Sequence, residues 1–231
     1  MNKAVISGDI VASTSLTDSG RSRLENDLLG VIHVLSEEEL ILFGRIIKGD
    51  YIECVVSKPE DALRVLLILK CYVKSIAGEM DLGASSPRIK LFKSYGIKLA
   101  IGFGEISRFN PEKGIIDGEA IYLSGRKINE LSTFGKQRMM LKNSLFFVST
   151  DNQLNMQFEA LFSLLDVLLN KATNRQCEVV YYKLLGLKED QIGSKMNVSQ
   201  PVINQHSSGA GWNAIDLAVN YYSRTIKQKS I

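Results

Sequence analysis

Histidine and cysteine are scarce, and their scarcity excludes whole classes of site. The three cysteines, Cys54, Cys71 and Cys177, are odd in number and form no Cys-x-x-Cys pair, which argues against a structural zinc site and for a reducing compartment. Cys71 falls in an apolar stretch and reads as a small buried side chain. His33 and His206 are the only imidazoles and stand too far apart for a metal-ligand motif. A charge excess is also lacking. The formal net charge is +3, and dividing the chain at residue 150 gives 20 basic against 18 acidic residues before it and 8 against 7 after it. No basic tail or stripe announces a nucleic-acid or membrane surface. The longest apolar run, Ala62 to Val73, is broken by Arg64 and Lys70 and is too short to span a bilayer. Met1-Asn2-Lys3 leads straight into a strand with no signal segment. Together these absences point to a cytoplasmic protein without a membrane partner. What remains, 45% hydrophobic and 23% charged residues in 231, is globular composition, enough for one large domain or one of about 150 residues and a smaller one.

Two short stretches organise the chain. Gly8-Asp9-Ile10-Val11-Ala12-Ser13-Thr14 follows the apolar run Ala4-Val5-Ile6, a buried strand that carries Asp9 near its end. Lys48-Gly49-Asp50-Tyr51 separates two β-prone runs, 43–47 and 51–56, as a hairpin turn would. A lone Asp before Ser or Thr is ordinarily a turn or cap residue. Two carboxylates brought to one sheet edge instead make a hard-cation site of the kind Mg²⁺ occupies beside substrate phosphates.

The order of elements indicates how such a sheet is built. Thr17 or Asp18 caps a helix with Leu24, Leu28, Ile32 and Leu35 on one face. Glu37-Glu38-Glu39 reads as a solvated turn, because three consecutive carboxylates cannot converge on one point. Ser57-Lys58-Pro59-Glu60-Asp61 starts a second helix running to about Ser75, apolar around most of its circumference and so expected between the sheet and another layer. A loop over 78–88, an alternating strand over 96–106, a loop at Asn110-Pro111, a helix opened by Asp117, and a last strand over 145–149 complete the region. Strand, helix, hairpin, helix, strand, helix, strand predicts an α+β fold with a ferredoxin-like antiparallel or mixed sheet and helices on one face. Gly102-Phe103-Gly104 lacks a third glycine and a following helix, so a dinucleotide-binding turn is not indicated.

Four segments in register, Asp9-Ile10-Val11 with Ser13-Thr14, Gly49-Asp50, Gly96 to Ile106, and Gly118 to Arg126, resemble the class III nucleotide cyclase homology domain, and most closely its SatD branch, over roughly residues 3 to 150. The resemblance implies a palm-type sheet and two Mg²⁺ or Mn²⁺ ions held by Asp9, Asp50 and the carbonyl of Ile10. It further implies Arg126 as the catalytic residue stabilising charge on the transferred phosphorus, and a head-to-tail homodimer. The bland role for Arg126 is an ion pair with Glu130 one turn on. The family's ribose-orienting asparagine is Tyr122 here, and its base-selecting lysine and aspartate fall at Ile46 and Ile115. Lys48, nearby, and Tyr122 are left as nucleotide contacts, so a nucleoside triphosphate or related polyphosphate is the expected ligand and the base is unspecified.

Beyond residue 150 strand signals cease, which places a domain of residues 1–150 before a helical one of 151–231. Within 187–204, Gly193 supplies the small residue, Asn197 the left-handed turn, and Ile192, Val198 and Ile203 the apolar lock of a helix-turn-helix, with Pro201 tolerated in the second helix's first turn. Gln200, Asn204 and Gln205 would then face DNA, where amides pair with adenine edges. No charged side chain lies between Ser199 and Trp212, so phosphate contacts would be few. Trp212 is the expected anchor of the small core. These features describe a cytoplasmic regulatory protein in which a metal-nucleotide domain is coupled to a DNA-binding one; an active nucleotidyl cyclase and a dimeric scaffold without activity are the alternatives.

Overall fold

β1 (Lys3–Ile10) is the axis of the protein. The computed structural model describes residues 2–77, 86–138 and 143–229; the loop read over 78–88 lies, as far as residue 85, outside them. Around β1 are α1 (Asp18–Glu37), β2 (Ile41–Ile47), β3 (Tyr51–Val56), α2 (Ala62–Ile76), α3 (Pro87–Tyr95), β4 (Ile97–Gly104), β5 (Arg108–Asn110), β6 (Ile115–Asp117), α4 (Glu119–Arg138) and β7 (Leu145–Ser149). The helices α5 (Asn152–Lys171), α6 (Asn174–Leu184), α7 (Glu189–Met196), α8 (Gln200–Gly209) and α9 (Trp212–Lys229) follow.

The main sheet has the order β2-β3-β1-β4-β7. β1 is antiparallel to both β3 and β4, and β7 is parallel to β4. The first four strands, with α1 and α2 as crossovers, make the ferredoxin-like arrangement that the element order predicts, and the fold class is α+β. Strand alternation divides the sheet into two faces. Ala4, Ile6 and Ile10 join Ile52, Cys54, Leu99 and Ile101 in the main core, against α1 and α2. Val5 lies on the other face with Val55 and Ala120.

α1 is capped by Thr17, whose Oγ1 accepts the Gly20 amide at 3.0 Å, and buries Leu24, Leu28, Ile32 and Leu35 as their spacing requires. α2 begins later than Ser57, because Pro59–Asp61 first form a 3-10 turn. Between Ala62 and Cys71 only Arg64 is not buried. α2 is enclosed by the sheet on one side and by α5, α6 and α9 on the other, in one continuous core that includes Phe158, Val180, Ile215 and Tyr222. The Cys71 and Cys177 thiols meet where α2 and α6 cross. Phe158 bridges the layers, its ring 4.8 Å from Phe147 of β7 and 5.0 Å from Tyr222 of α9. The fully buried Tyr222, rather than Trp212, anchors these helices; Trp212 stays partly buried beneath Lys183.

Helices on one face describes α1 and α2; α4 lies on the other. Gly102 is the reason, since a Cβ there would stand 2.0 Å from the Ala120 carbonyl. α4 starts at Glu119, because Asp117 ends β6 and Gly118 turns with φ 143°. The stretch read as a loop at Asn110-Pro111 forms part of the small β5–β6 hairpin.

In the C-terminal region Asn197 adopts the left-handed conformation (φ 54°, ψ 46°) between α7 and α8. A Cβ on Gly193 would meet the Val198 carbonyl at 2.8 Å. Ile192 and Ile203 pack with Val179 in a separate small core, while Val198, 37% exposed, lies outside that core.

Lys70 crosses the layers. Its Nζ donates to the carbonyls of Tyr95 (2.6 Å) and Ile97 (3.2 Å) and to Ser144 Oγ (2.6 Å), with Asp166 Oδ1 at 3.9 Å. Burial pulls its pKa down to about 7, against the attraction of Asp166. An unfolded lysine holds its proton to about pH 10.4, so between these values the unfolded chain binds more protons and stability rises with pH. The urea midpoint is therefore expected to increase from pH 6.5 to pH 9.5, and Lys70→Met to flatten that rise. An unchanged slope in the variant assigns the dependence to other groups.

Candidate functional site

Asp9 lies near the end of β1, on the α4 face, with Tyr51 of β3 and Lys98 of β4 as its cross-strand neighbours. Lys98 Nζ donates to Asp9 Oδ2 at 2.9 Å, with the lysine side chain 8% and the aspartate 23% exposed. Past Ile10 the chain turns through Ala12 at φ 56° into a 3-10 turn that begins at Ser13. Ser13 Oγ is thereby aimed back at the hairpin and donates to Asp50 Oδ2 at 2.7 Å. The hairpin reverses through left-handed Lys48 and Gly49, at φ 55° and 79°. The Asp50 carbonyl accepts the Ile10 amide at 3.0 Å. That bond fastens the turn carrying Asp50 to the strand carrying Asp9.

Between the hairpin and α4 opens a cavity of about 800 Å³, lined by Asp9, Asp50, Lys48, Tyr122 and Arg126, among others. Tyr122, Arg126 and Glu130 succeed one another at four-residue intervals on α4 and so share one helix face. Arg126 is 64% exposed and donates to Glu130 Oε1 at 2.8 Å. Glu130 first, then Tyr122, raises the pKa of its guanidinium. The ion pair with Glu130 and the place on the cavity coexist. Arg126 lines the same cavity as both aspartates within one chain. The Ile10 side chain, 2% exposed, enters the core on the opposite face, which leaves only its backbone for any contact with the site.

Three features of the site escape the sequence. Lys98 is one of them, since alternation puts it on the α4 face but only the β1–β4 register sets it against Asp9. Glu53, 8% exposed, is held by Arg45 at 2.6 Å, while Arg45 Nη1 also donates to the Gly114 carbonyl at 2.7 Å and ties the β5–β6 hairpin to β2. Tyr51 shares a hydrogen bond with Ser7, and burial is the largest cause raising its pKa. Ser7 in turn shares one of 2.8 Å with Ser124 of α4. This buried polar chain joins β3, β1 and α4 beneath the cavity. Among the described residues no group of three or more His, Cys, Asp or Glu side chains is arranged to hold a metal ion.

On α8, Gln200, Asn204 and Gln205 are all exposed. The Lys183 ammonium, 2.8 Å from Glu189, holds that carboxyl below its usual range, assisted by side-chain hydrogen bonds from Asn204 and Gln200. Gln200 and Asn204 thus lie beside Glu189, and both stay exposed. Among the described residues no helix is long and apolar enough to cross a membrane.

No family model matches the chain, and no curated protein does. Among the solved structures that match, a bacterial light-regulated adenylyl cyclase aligns over 63% of this chain and 42% of its own, with 16% identity and a TM-score of 0.42. A second structure so described aligns over 63% and 43%, with 15% identity and a TM-score of 0.41. A guanylyl cyclase crystal structure aligns over 62% and 80%, with 15% identity and a TM-score of 0.36. This chain spans less than half the length of the two adenylyl cyclases.

Proposed function

We propose that this is a regulatory protein whose cavity between the β2–β3 hairpin and α4 binds a nucleoside triphosphate, or a related polyphosphate, together with a divalent cation. The observation that carries the reading is the gathering of two carboxylates, Asp9 and Asp50, and two cations, Lys48 and Arg126, around one open cavity. A volume near 800 Å³ lies within the range of small-molecule sites.

The donor set fits one hard cation better than two. Asp9 and Asp50 offer carboxylate oxygens, the donors that Mg²⁺ or Mn²⁺ takes alongside substrate phosphates, and Lys98 already compensates Asp9. A bound ion would neutralise phosphate charge at that edge. Ser13 orients Asp50 through its hydrogen bond, and Lys98 orients Asp9 through their ion pair. Lys48 and Arg126 stand at the rim, where a guanidinium's fork suits phosphate oxygens. Tyr122, 64% exposed, offers an aromatic face to a base or ribose. Ile46 packs against the main core, away from any base, so purine selection of the cyclase kind has no residue there.

A thermal-shift panel of the four ribonucleoside triphosphates with Mg²⁺ or Mn²⁺ tests this reading. A ligand at 100 times its dissociation constant contributes about 2.7 kcal/mol, a rise in Tm of about 5–10 °C for a chain of this size. Asp9→Ala and Asp50→Ala should each remove the metal-dependent rise. Retention of the rise in both variants contradicts the two-aspartate site. The position of Arg126 on the cavity favours an active nucleotidyl cyclase as a second reading, in which the same samples release pyrophosphate and Arg126→Ala slows that release strongly.

For the helical region we propose DNA contact by α8, supported by the close approach at Gly193 and the left-handed turn at Asn197. Glu189 restrains it by engaging Gln200 and Asn204. Selection from random duplexes should return an inverted repeat with half-sites about ten base pairs apart. Glu189→Ala should tighten binding and Gln205→Ala weaken it, the latter by about 1–3 kcal/mol if a bidentate base contact is lost. No enriched sequence, with or without nucleotide, rules out DNA as the partner.

A further inference from the structure

α5 and α9 lie side by side and antiparallel. A Cβ on Gly211 would touch Leu168 at 3.2 Å, Gln157 donates to the Tyr221 hydroxyl at 2.6 Å, and Lys229 pairs with Asp151 at 3.0 Å. These three contacts put Leu164 and Leu217 at the same level of the helix pair. Both are exposed, 70% and 65%, together with Met156 (76%), Val167 (52%) and Tyr221 (41%). Met156, Ala160, Leu164 and Val167 recur at intervals of four, four and three, which is one helix face. Ala214, Leu217 and Tyr221 do the same on α9. No charged residue interrupts either row.

We propose that this α5–α9 face is where a second copy of the chain docks, the two helix pairs stacking about a two-fold axis into a four-helix packing. The area fits. At 25 cal/mol per Å², burying an aliphatic side chain removes on the order of 60–120 Å², so these five side chains expose on the order of 300 Å² of apolar surface. That is a sizeable central fraction of the roughly 800 Å² each partner contributes to a stable pair. The charge pattern also fits. The flanks of the face carry two acidic residues, Glu159 and Asp216, and two basic ones, Lys171 and Arg224, all exposed. A surface balanced in this way opposes unlike charges when it meets its own copy, and it offers no net attraction to a nucleic acid or an acidic protein. The short side chains of Ala160 and Ala214 leave room for Leu164 and Leu217 of the other copy to enter. This surface is separate from the cavity, and the proposal holds or fails independently of the nucleotide reading.

Sedimentation velocity of the full chain, without ligand, from about 1 to 100 μM reads the assembly directly. A concentration-dependent dimer is expected, and Leu164→Asp/Leu217→Asp should weaken it at least ~100-fold by placing charge in the apolar centre. Both positions are exposed, so the variant should keep the circular dichroism and Tm of the monomer. Ala160→Glu provides a second disruption, to be used if the pair fails to fold. A chain that remains monomeric across the range overturns the proposal, leaving the face to another partner. So does a dimer that persists in every folded variant, because it is held elsewhere.

Discussion

The ion pair between Asp9 and Lys98 is the constraint around which the site is built. β1 is central in the sheet, and a charge near its end on a half-covered face is tolerable only with a partner at hand. The antiparallel register with β4 supplies that partner directly across the strands at 2.9 Å. The β3 side supplies the rest, since the Asp50 carbonyl fastens the hairpin turn to Ile10. α4 must then pass close to the sheet to form the far wall of the cavity. Gly102 and the Ser7–Ser124 hydrogen bond admit it. β1, the β2–β3 hairpin and α4 contribute polar groups to the cavity and apolar mass elsewhere, so the site is an edge of the core rather than an addition to it.

The second layer is bound to the first through α2. A helix buried on all sides must satisfy any cation it carries. Lys70 and Lys74 do so by reaching carbonyls at the ends of other elements: Ser94 and Tyr95 at the end of α3, and Leu169 and Asn170 at the end of α5. Asp166 completes the arrangement by accepting the Ser144 amide at 2.6 Å. The strand side and the helical side therefore share polar contacts as well as one hydrophobic core.

Much of this was legible in the sequence wherever a local pattern dictates the result. The apolar face of α1, the Lys48-Gly49 turn, the enclosed α2, and Gly193 and Asn197 between α7 and α8 all follow from spacing or from residues suited to one backbone conformation. Pairing register and side-chain competition were not legible. Lys98 gains its meaning only from the strand opposite it. The three-residue strands β5 and β6 are too short for alternation to register. α4 crosses to the other face because of a glycine whose role lies in a contact eighteen residues away in sequence. Gln200 and Asn204 read as free amides until α7 presents Glu189 to them, and Tyr222 displaces Trp212 as anchor because of where α9 meets Phe158.

Lys98 balances Asp9, and on the proposed function a divalent cation binds this cavity only together with polyphosphate oxygens. Titration calorimetry of Mn²⁺ into the protein, with and without a non-hydrolysable triphosphate analogue, tests it most directly. Saturable Mn²⁺ binding is expected only with the analogue present, and appreciable binding of Mn²⁺ alone once Lys98→Met uncovers the Asp9 charge. Equal Mn²⁺ affinity with and without the analogue, unchanged in Lys98→Met, would contradict it.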